Sequence, residues 1–161
     1  QACEENLIEA EKLNPWLKRE FIELRKGDAF NLPVEDNSID IAAQNCWFNI
    51  FRDEDLKTAL TEMYRTLKKH GRLVMSDPTC EQTIPENLRD DEKLRALCLS
   101  GSLPLQEYID RITDICFGTI EVRARRPYRI LDPVNYDTPE LIFIESAEVC
   151  AIKDPMPADG P

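Results

Sequence analysis

Six cysteines, at positions 3, 46, 80, 98, 116 and 150, are the side chains of this chain best suited to chemistry at neutral pH. None stands in a C-x-x-C pair, so neither a zinc ribbon nor a thioredoxin-like dithiol is signalled. No secretory or transit pattern is read here, and cysteines in that setting are expected as free thiols. Cys46 follows a short apolar run as Asn45-Cys46, and Cys98 stands at the end of a helical pattern just before Ser100-Gly101. Packing alone would account for both: a Cys after a buried strand is a small core hydrophobe, and Cys98 lies beside Leu94 and Leu97 on a helix face. Cys116 and Cys150 are expected as buried structural thiols, while Cys80 follows a strand end. Gly27-Asp28-Ala29 carries a carboxylate in a tight turn, for which an Asx-type turn is the simplest account. His70, the single histidine, falls in a turn and is expected at the surface.

The elements that position these residues follow from periodicity. Glu4 to Leu13 reads as a helix with leading acids, ended by Asn14-Pro15. Phe21 to Lys26 alternates and predicts a short strand. Leu32-Pro33 and Glu35 to Ser38 form a solvated loop, and Ile39 to Gln44 predicts a strand buried in a parallel sheet. Asp53 to Lys68 predicts the clearest helix: Leu56, Leu60, Met63 and Leu67 share a face, and Gly71 supplies the stop. Arg72 to Ser76 is the next strand, running to Asp77 as scaffold. Alternating strands and helices imply right-handed crossovers and a parallel sheet. Beyond Asp77, helices are predicted over Glu86 to Leu99 and Leu105 to Cys116. Thr119 to Arg125 and Leu141 to Ile152 then predict two strands that pair antiparallel. Arg123, Arg125, Arg126 and Arg129 form a stripe best explained by carboxylate partners such as Glu121 or Glu145.

At GDAFNLPVEDNSIDIAAQNC (Gly27 to Cys46) and MYRTLKKHGRLVMSDP (Met63 to Pro78), the chain resembles the class I S-adenosylmethionine-dependent methyltransferases. Narrower features resemble the arsenite methyltransferases: Asn45-Cys46 with Asn49-Ile50 soon after, and Cys98-Leu99-Ser100-Gly101 in the helical segment beyond the next strand. The stretches VRARRPYRILDP and IESAEVCAIKDPMPADGP are similar to those of a subset associated with arsenosugar biosynthesis. The resemblance implies an α/β, three-layer Rossmann-like sheet, mostly parallel, with a C-terminal antiparallel strand at one edge. It also implies that the first strand and its Gly-rich loop lie upstream of Gln1. On that basis residues 1–78 are a partial cofactor-binding core, 79–153 the C-terminal half of the same domain with the substrate-side helices, and 154–161 a Pro-rich tail.

The same resemblance assigns roles. Cys46 and Cys98 become thiolate ligands of trivalent arsenic, a soft centre for which sulfur is the matching donor. The arsenic lone pair would attack the sulfonium methyl of S-adenosylmethionine without any general base, provided the two are held at near-attack distance. Asp28 would accept from the adenine amino group, the Ala29 backbone N–H would face the ring, and Asn45 would approach the methionine portion. Gln1 stands where the family has an acidic residue for the ribose hydroxyls, and an amide adds no charge there. The chain alone is expected to be inactive.

Composition frames these expectations. A net charge of -11 argues against a nucleic-acid backbone as partner, which would need a basic face, and no apolar run approaches the ~20 residues of a membrane span. A cytoplasmic protein acting on a small molecule, with a thiol reductant, is expected. The alternatives are a class I methyltransferase with an organic acceptor, in which both cysteines are incidental, and a non-catalytic arsenic-binding or interaction module.

Overall fold

The computed structural model describes residues 2–154; Gln1 and the end of the Pro-rich tail lie outside them. In chain order the elements are α1 (Ala2–Leu13), β1 (Ile39–Asn45), α2 (Asp53–Thr66), β2 (Leu67–Cys80), α3 (Glu86–Arg89), α4 (Glu92–Ala96), β3 (Leu103–Pro104), α5 (Leu105–Thr113), β4 (Thr119–Leu131), α6 (Pro133–Tyr136) and β5 (Ile142–Ile152). Short 3-10 turns occupy Arg19–Phe21 and Phe48–Ile50. The chain forms two compact units with their boundary between Pro33 and Val34.

In the first unit α1 forms as its acidic start and Lys12-bearing end favour, but it buries no residue, and Leu13 is exposed. The strand expected over Phe21 to Lys26 is absent: Ile22 to Lys26 adopt no regular structure, and among the described residues no strand pairs with them. Alternation describes a surface that fits a pleat, but a strand exists only when a neighbour takes its N–H and C=O groups.

The second unit is an α/β fold built on a five-stranded mixed sheet. Its order is β1-β2-β5-β4, with the two-residue β3 beside the end of β2. β1 and β3 run parallel to β2, whereas β5 runs antiparallel to both β2 and β4. Every strand but β5 therefore points the same way, and the antiparallel strand lies inside the sheet, between β2 and β4, rather than at its edge. β1 is the edge strand among the described residues. It is only half-buried, with Ile41 60% exposed, where its apolar composition had predicted a strand covered on both faces.

α2 packs Leu56, Ala59 and Leu60 into the main core with Leu73 and Met75 of β2, Tyr108 and Ile112 of α5, and Val149 of β5. The helix stops at Thr66, two residues before the expected Lys68, because Leu67 is already extended and enters β2. Lys153 Nζ then donates to the helix-end carbonyls of Tyr64 and Leu67 at 2.7 and 2.8 Å, an unusual cap that leaves Gly71 no role as the stop. A second cluster, with Cys80, Leu94, Leu99, Leu131 and Ile144, gathers where β2 and β4 end and β5 begins. The single helix expected over Glu86 to Leu99 is two. Asp91 accepts from the N–H groups of Lys93 and Leu94 at 2.8 and 3.0 Å, so it caps α4 and interrupts what precedes it.

Candidate active site

Parallel pairing of Asn45 with Ser76 brings the carboxyl ends of β1 and β2 side by side. That is where open α/β sheets place ligands. Three consecutive residues of β2 anchor what comes next. The Ser76 carbonyl accepts from Cys46 N at 2.8 Å. The Asp77 carboxylate accepts from Gln44 Nε2 and, at 2.7 Å, from the Tyr108 hydroxyl. The Pro78 carbonyl accepts from Asn49 Nδ2 at 2.6 Å.

Cys46 follows β1 in the left-handed region, at φ 57°, and Cys98 follows α4 in the same region, at φ 60°. Cβ crowding makes that conformation costly for a residue other than glycine, so both cysteines are held there by their surroundings. Although 52 residues apart, they meet: Cys98 Sγ donates to the Cys46 carbonyl at 2.7 Å. The Cys98 carbonyl in turn accepts from Asn49 Nδ2 at 3.3 Å and from Ser102 Oγ at 3.2 Å. Gly101 completes the seam, since a Cβ there would overlap the Asn49 carbonyl. Asn49, 2% exposed, thus ties the Cys98 loop to β2.

The Cys98 thiol is pushed up to about 12, first by burial, then by the Cys46 side chain close enough to hydrogen-bond and repel its anion, then by the charge of Asp77. Asp77 is fully buried, and burial raises its carboxyl above the ordinary range. The Tyr108 hydroxyl, Gln44 and the Trp47 and Phe48 amides oppose that shift, although no hydrogen bond of ordinary geometry reaches Asp77 Oδ1. Cys80 is buried, pushed up to about 12 by desolvation, and donates to the Ser102 carbonyl at 3.4 Å. Cys150 is buried as expected; Cys116 is exposed, because it sits past the end of α5 at φ 75° rather than on its apolar face. Among the described residues no cluster of three His, Cys, Asp or Glu side chains could hold a metal.

Asn45 is exposed beside Cys46 and lines, with Ala43, Val74 and Ser76, a shallow cavity of about 400 Å³. Asp28 and Ala29 belong to the first unit. There Asp28 Oδ1 accepts from Phe30 N at 3.0 Å, the Asx-type turn that the residues alone imply. His70 is exposed and pairs with Asp154. Trp47 is half-buried against Phe48 and Phe51, and Phe48 is a core residue. The arginines at 123, 125 and 126 pair with Glu121, Glu145 and Glu148.

Asp77, Gln44 and Tyr108 are the participants that the sequence concealed, since an acid before a proline reads as the start of a loop. The available signal was the two-residue alternation of Leu73, Met75 and Asp77, which puts all three on the core face of β2.

Residues 4–130 match a family model described as a methyltransferase domain. An arsenite methyltransferase of Aquipseudomonas alcaligenes is 38% identical over 76 residues, covering 47% of this chain and 21% of the relative. A demethylmenaquinone methyltransferase of Staphylococcus epidermidis is 38% identical over 136 residues, covering 84% of this chain and 48% of the relative. The chain thus spans less than half the length of either. Among solved structures, an arsenic(III) S-adenosylmethionine methyltransferase from Chlamydomonas reinhardtii shares the fold with a TM-score of 0.66 at 24% identity, over 82% of this chain and 44% of that one. Among the described residues no helix is long and apolar enough to cross a membrane.

Proposed function

The chain belongs to the methyltransferase domain family, and we propose that its protein methylates trivalent arsenic held by Cys46 and Cys98, with S-adenosylmethionine as the methyl donor. The convergence of these two thiols, with Cys98 Sγ 2.7 Å from the Cys46 carbonyl, carries the proposal. Arsenite is a neutral trihydroxide. When each thiol condenses with it, one As–S bond forms, one As–O bond breaks, and the thiol proton leaves with the hydroxyl as water. No free thiolate is required beforehand, which suits a Cys98 thiol pushed up to about 12. Arsenic keeps its lone pair and becomes a soft nucleophile fixed at the carboxyl end of the sheet.

S-adenosylmethionine, when bound, supplies an electrophilic methyl on a sulfonium. Each unit, taken by itself, offers donors of the right kind. In the second, Asn45 offers a neutral amide in the cavity beside Cys46; in the first, the Gly27-Asp28-Ala29 turn offers a carboxylate and a backbone N–H suited to an adenine edge. Gln1 is the remaining candidate, for the ribose. Within the site Asn49 and Gly101 hold the Cys98 loop, and Trp47, next to Cys46 in the chain, packs edge-on against Phe51. A site built on two reduced thiols belongs in a reducing compartment, the cytoplasm, with a small thiol reductant to keep it so.

The test is an assay of the full-length protein with arsenite, S-adenosylmethionine and a thiol reductant, with methylated arsenicals separated by chromatography. Cys46→Ser and Cys98→Ser should each lower the rate at least about a hundredfold, ~2.7 kcal/mol of barrier. Full activity in both variants would end the proposal. A second reading, an organic methyl acceptor, is favoured by the longer alignment with the demethylmenaquinone methyltransferase; it expects no methylated arsenic and indifference to both substitutions. A non-catalytic arsenic-binding module would bind arsenite while the full-length protein failed to bind S-adenosylmethionine in calorimetric titration.

A further inference from the structure

We infer that Asp77, acting through Gln44 and Tyr108, is a positioning residue that sets the spacing of the Cys46–Cys98 pair and so makes it a two-point site. The inference rests on the proposal that this pair holds trivalent arsenic, and it adds a residue that touches neither thiol in a described hydrogen bond. A buried carboxylate needs a reason to be there, because its desolvation is unfavourable unless several donors converge on it. Two side-chain donors do so here, and one of them, Gln44, leads on to the Cys46 turn. Gln44 Nε2 donates to Asp77 Oδ2, and Gln44 Oε1 accepts from Trp47 N at 3.1 Å, so the amide spans Asn45 and Cys46 from one side to the other. The Tyr108 hydroxyl donates to the same Asp77 oxygen and so ties this clamp to α5. Cys46 N meanwhile donates to Ser76, the residue before Asp77, and Asn49 Nδ2 reaches both Pro78, the residue after it, and the Cys98 carbonyl. Ser76, Asp77 and Pro78 thus form one platform, with the Cys46 turn fixed by the first two and the Cys98 loop by the third.

The donor and acceptor polarity is specific. Gln44 must give its N–H to Asp77 because its oxygen is engaged by Trp47. Gln44 and Tyr108 share Oδ2 while the Trp47 and Phe48 amides also favour the carboxylate, so an asparagine at position 77 must turn its amide N–H either toward the Gln44 and Tyr108 donors or toward those backbone N–H groups, and the clamp loosens either way. Asp77→Asn combined with Gln44→Glu reverses both partners and closes it again, since the glutamate accepts from Trp47 and from the asparagine.

The experiment uses phenylarsine oxide, a trivalent arsenical that bridges two thiols, titrated into the full-length protein with Trp47 fluorescence as the signal. In parallel, iodoacetamide labelling of Cys46 is followed by mass spectrometry as a one-thiol reaction. Asp77→Asn should weaken bridging about tenfold or more, with Cys46 labelling kept within about twofold, and the double variant should recover most of the bridging affinity. Tyr108→Phe removes a single hydroxyl from the network and should weaken bridging in the same direction, which keeps the test alive if Asp77→Asn folds poorly. Unchanged bridging in Asp77→Asn and Tyr108→Phe, or a double variant no better than the single one, would overturn the inference. Wild-type protein that binds phenylarsine oxide no better than Cys46→Ser would overturn the two-thiol proposal beneath it, a distinct outcome.

Discussion

A cysteine at φ near +60° gives up roughly 1–2 kcal/mol of backbone preference, and this molecule places two such residues in contact. Both cysteines stand in turns, after β1 and after α4, with Cys46 half-buried and Cys98 buried. That enclosure sets reactivity. Burial, the Cys46 side chain and the Asp77 charge all oppose ionisation of Cys98, whose thiol is pushed up to about 12. At neutral pH Cys98 is therefore a thiol, suited to condensation with an arsenic hydroxide and slow toward alkylating agents, which need the thiolate. Its labelling rate with iodoacetamide should climb about tenfold for each pH unit from 7 to 10 without levelling. Peptide mass spectrometry across that range checks this; a plateau at pH 8 or 9 would contradict the burial account.

At the scale of elements, the Cys98 loop depends on a helix that periodicity did not resolve. α4 is five residues long and has little intrinsic stability, so its capping by Asp91 matters more than it would on a long helix. Asp91→Ala should cost about 1 kcal/mol, read as a lower urea midpoint with an unchanged m value. What could be seen in the residues divides along physical lines. α2 was legible because Leu56, Leu60 and Met63 repeat at helical spacing over several turns. The antiparallel β4–β5 pair was legible because two long alternating runs are joined without a helix of crossover length. Phe21 to Lys26 was misleading, since strand pairing is decided by a partner far away in sequence. The insertion of β5 between β2 and β4 was hidden for the same reason. Within the site Cys46 and Cys98 were accessible as residue types, but their contact, and the carboxylate beneath them, depend on register between β1 and β2.

At the scale of the whole chain, stability is concentrated in one place. β2 is hydrogen-bonded on both sides along most of its length, and it carries Leu73, Met75 and Asp77 into the interior, none more than 1% exposed. α1, by contrast, buries no residue, and the ion pair of Lys12 with Glu9 at 3.6 Å is exposed, of a kind that contributes little. An isolated helix of 12 residues is marginal in water, so the amides of α1 should open locally while β2 opens only with the global transition. Hydrogen exchange followed by mass spectrometry on the 161-residue chain should find α1 peptides exchanging at least about a hundredfold faster than peptides from Leu73 to Cys80. Equal protection of the two would mean that α1 contributes to the same cooperative unit as the sheet. The expected contrast also bears on the site, because Cys46 and Cys98 are both anchored to β2. The two-thiol arrangement should therefore persist through opening of the N-terminal helix and be lost only when the sheet itself unfolds.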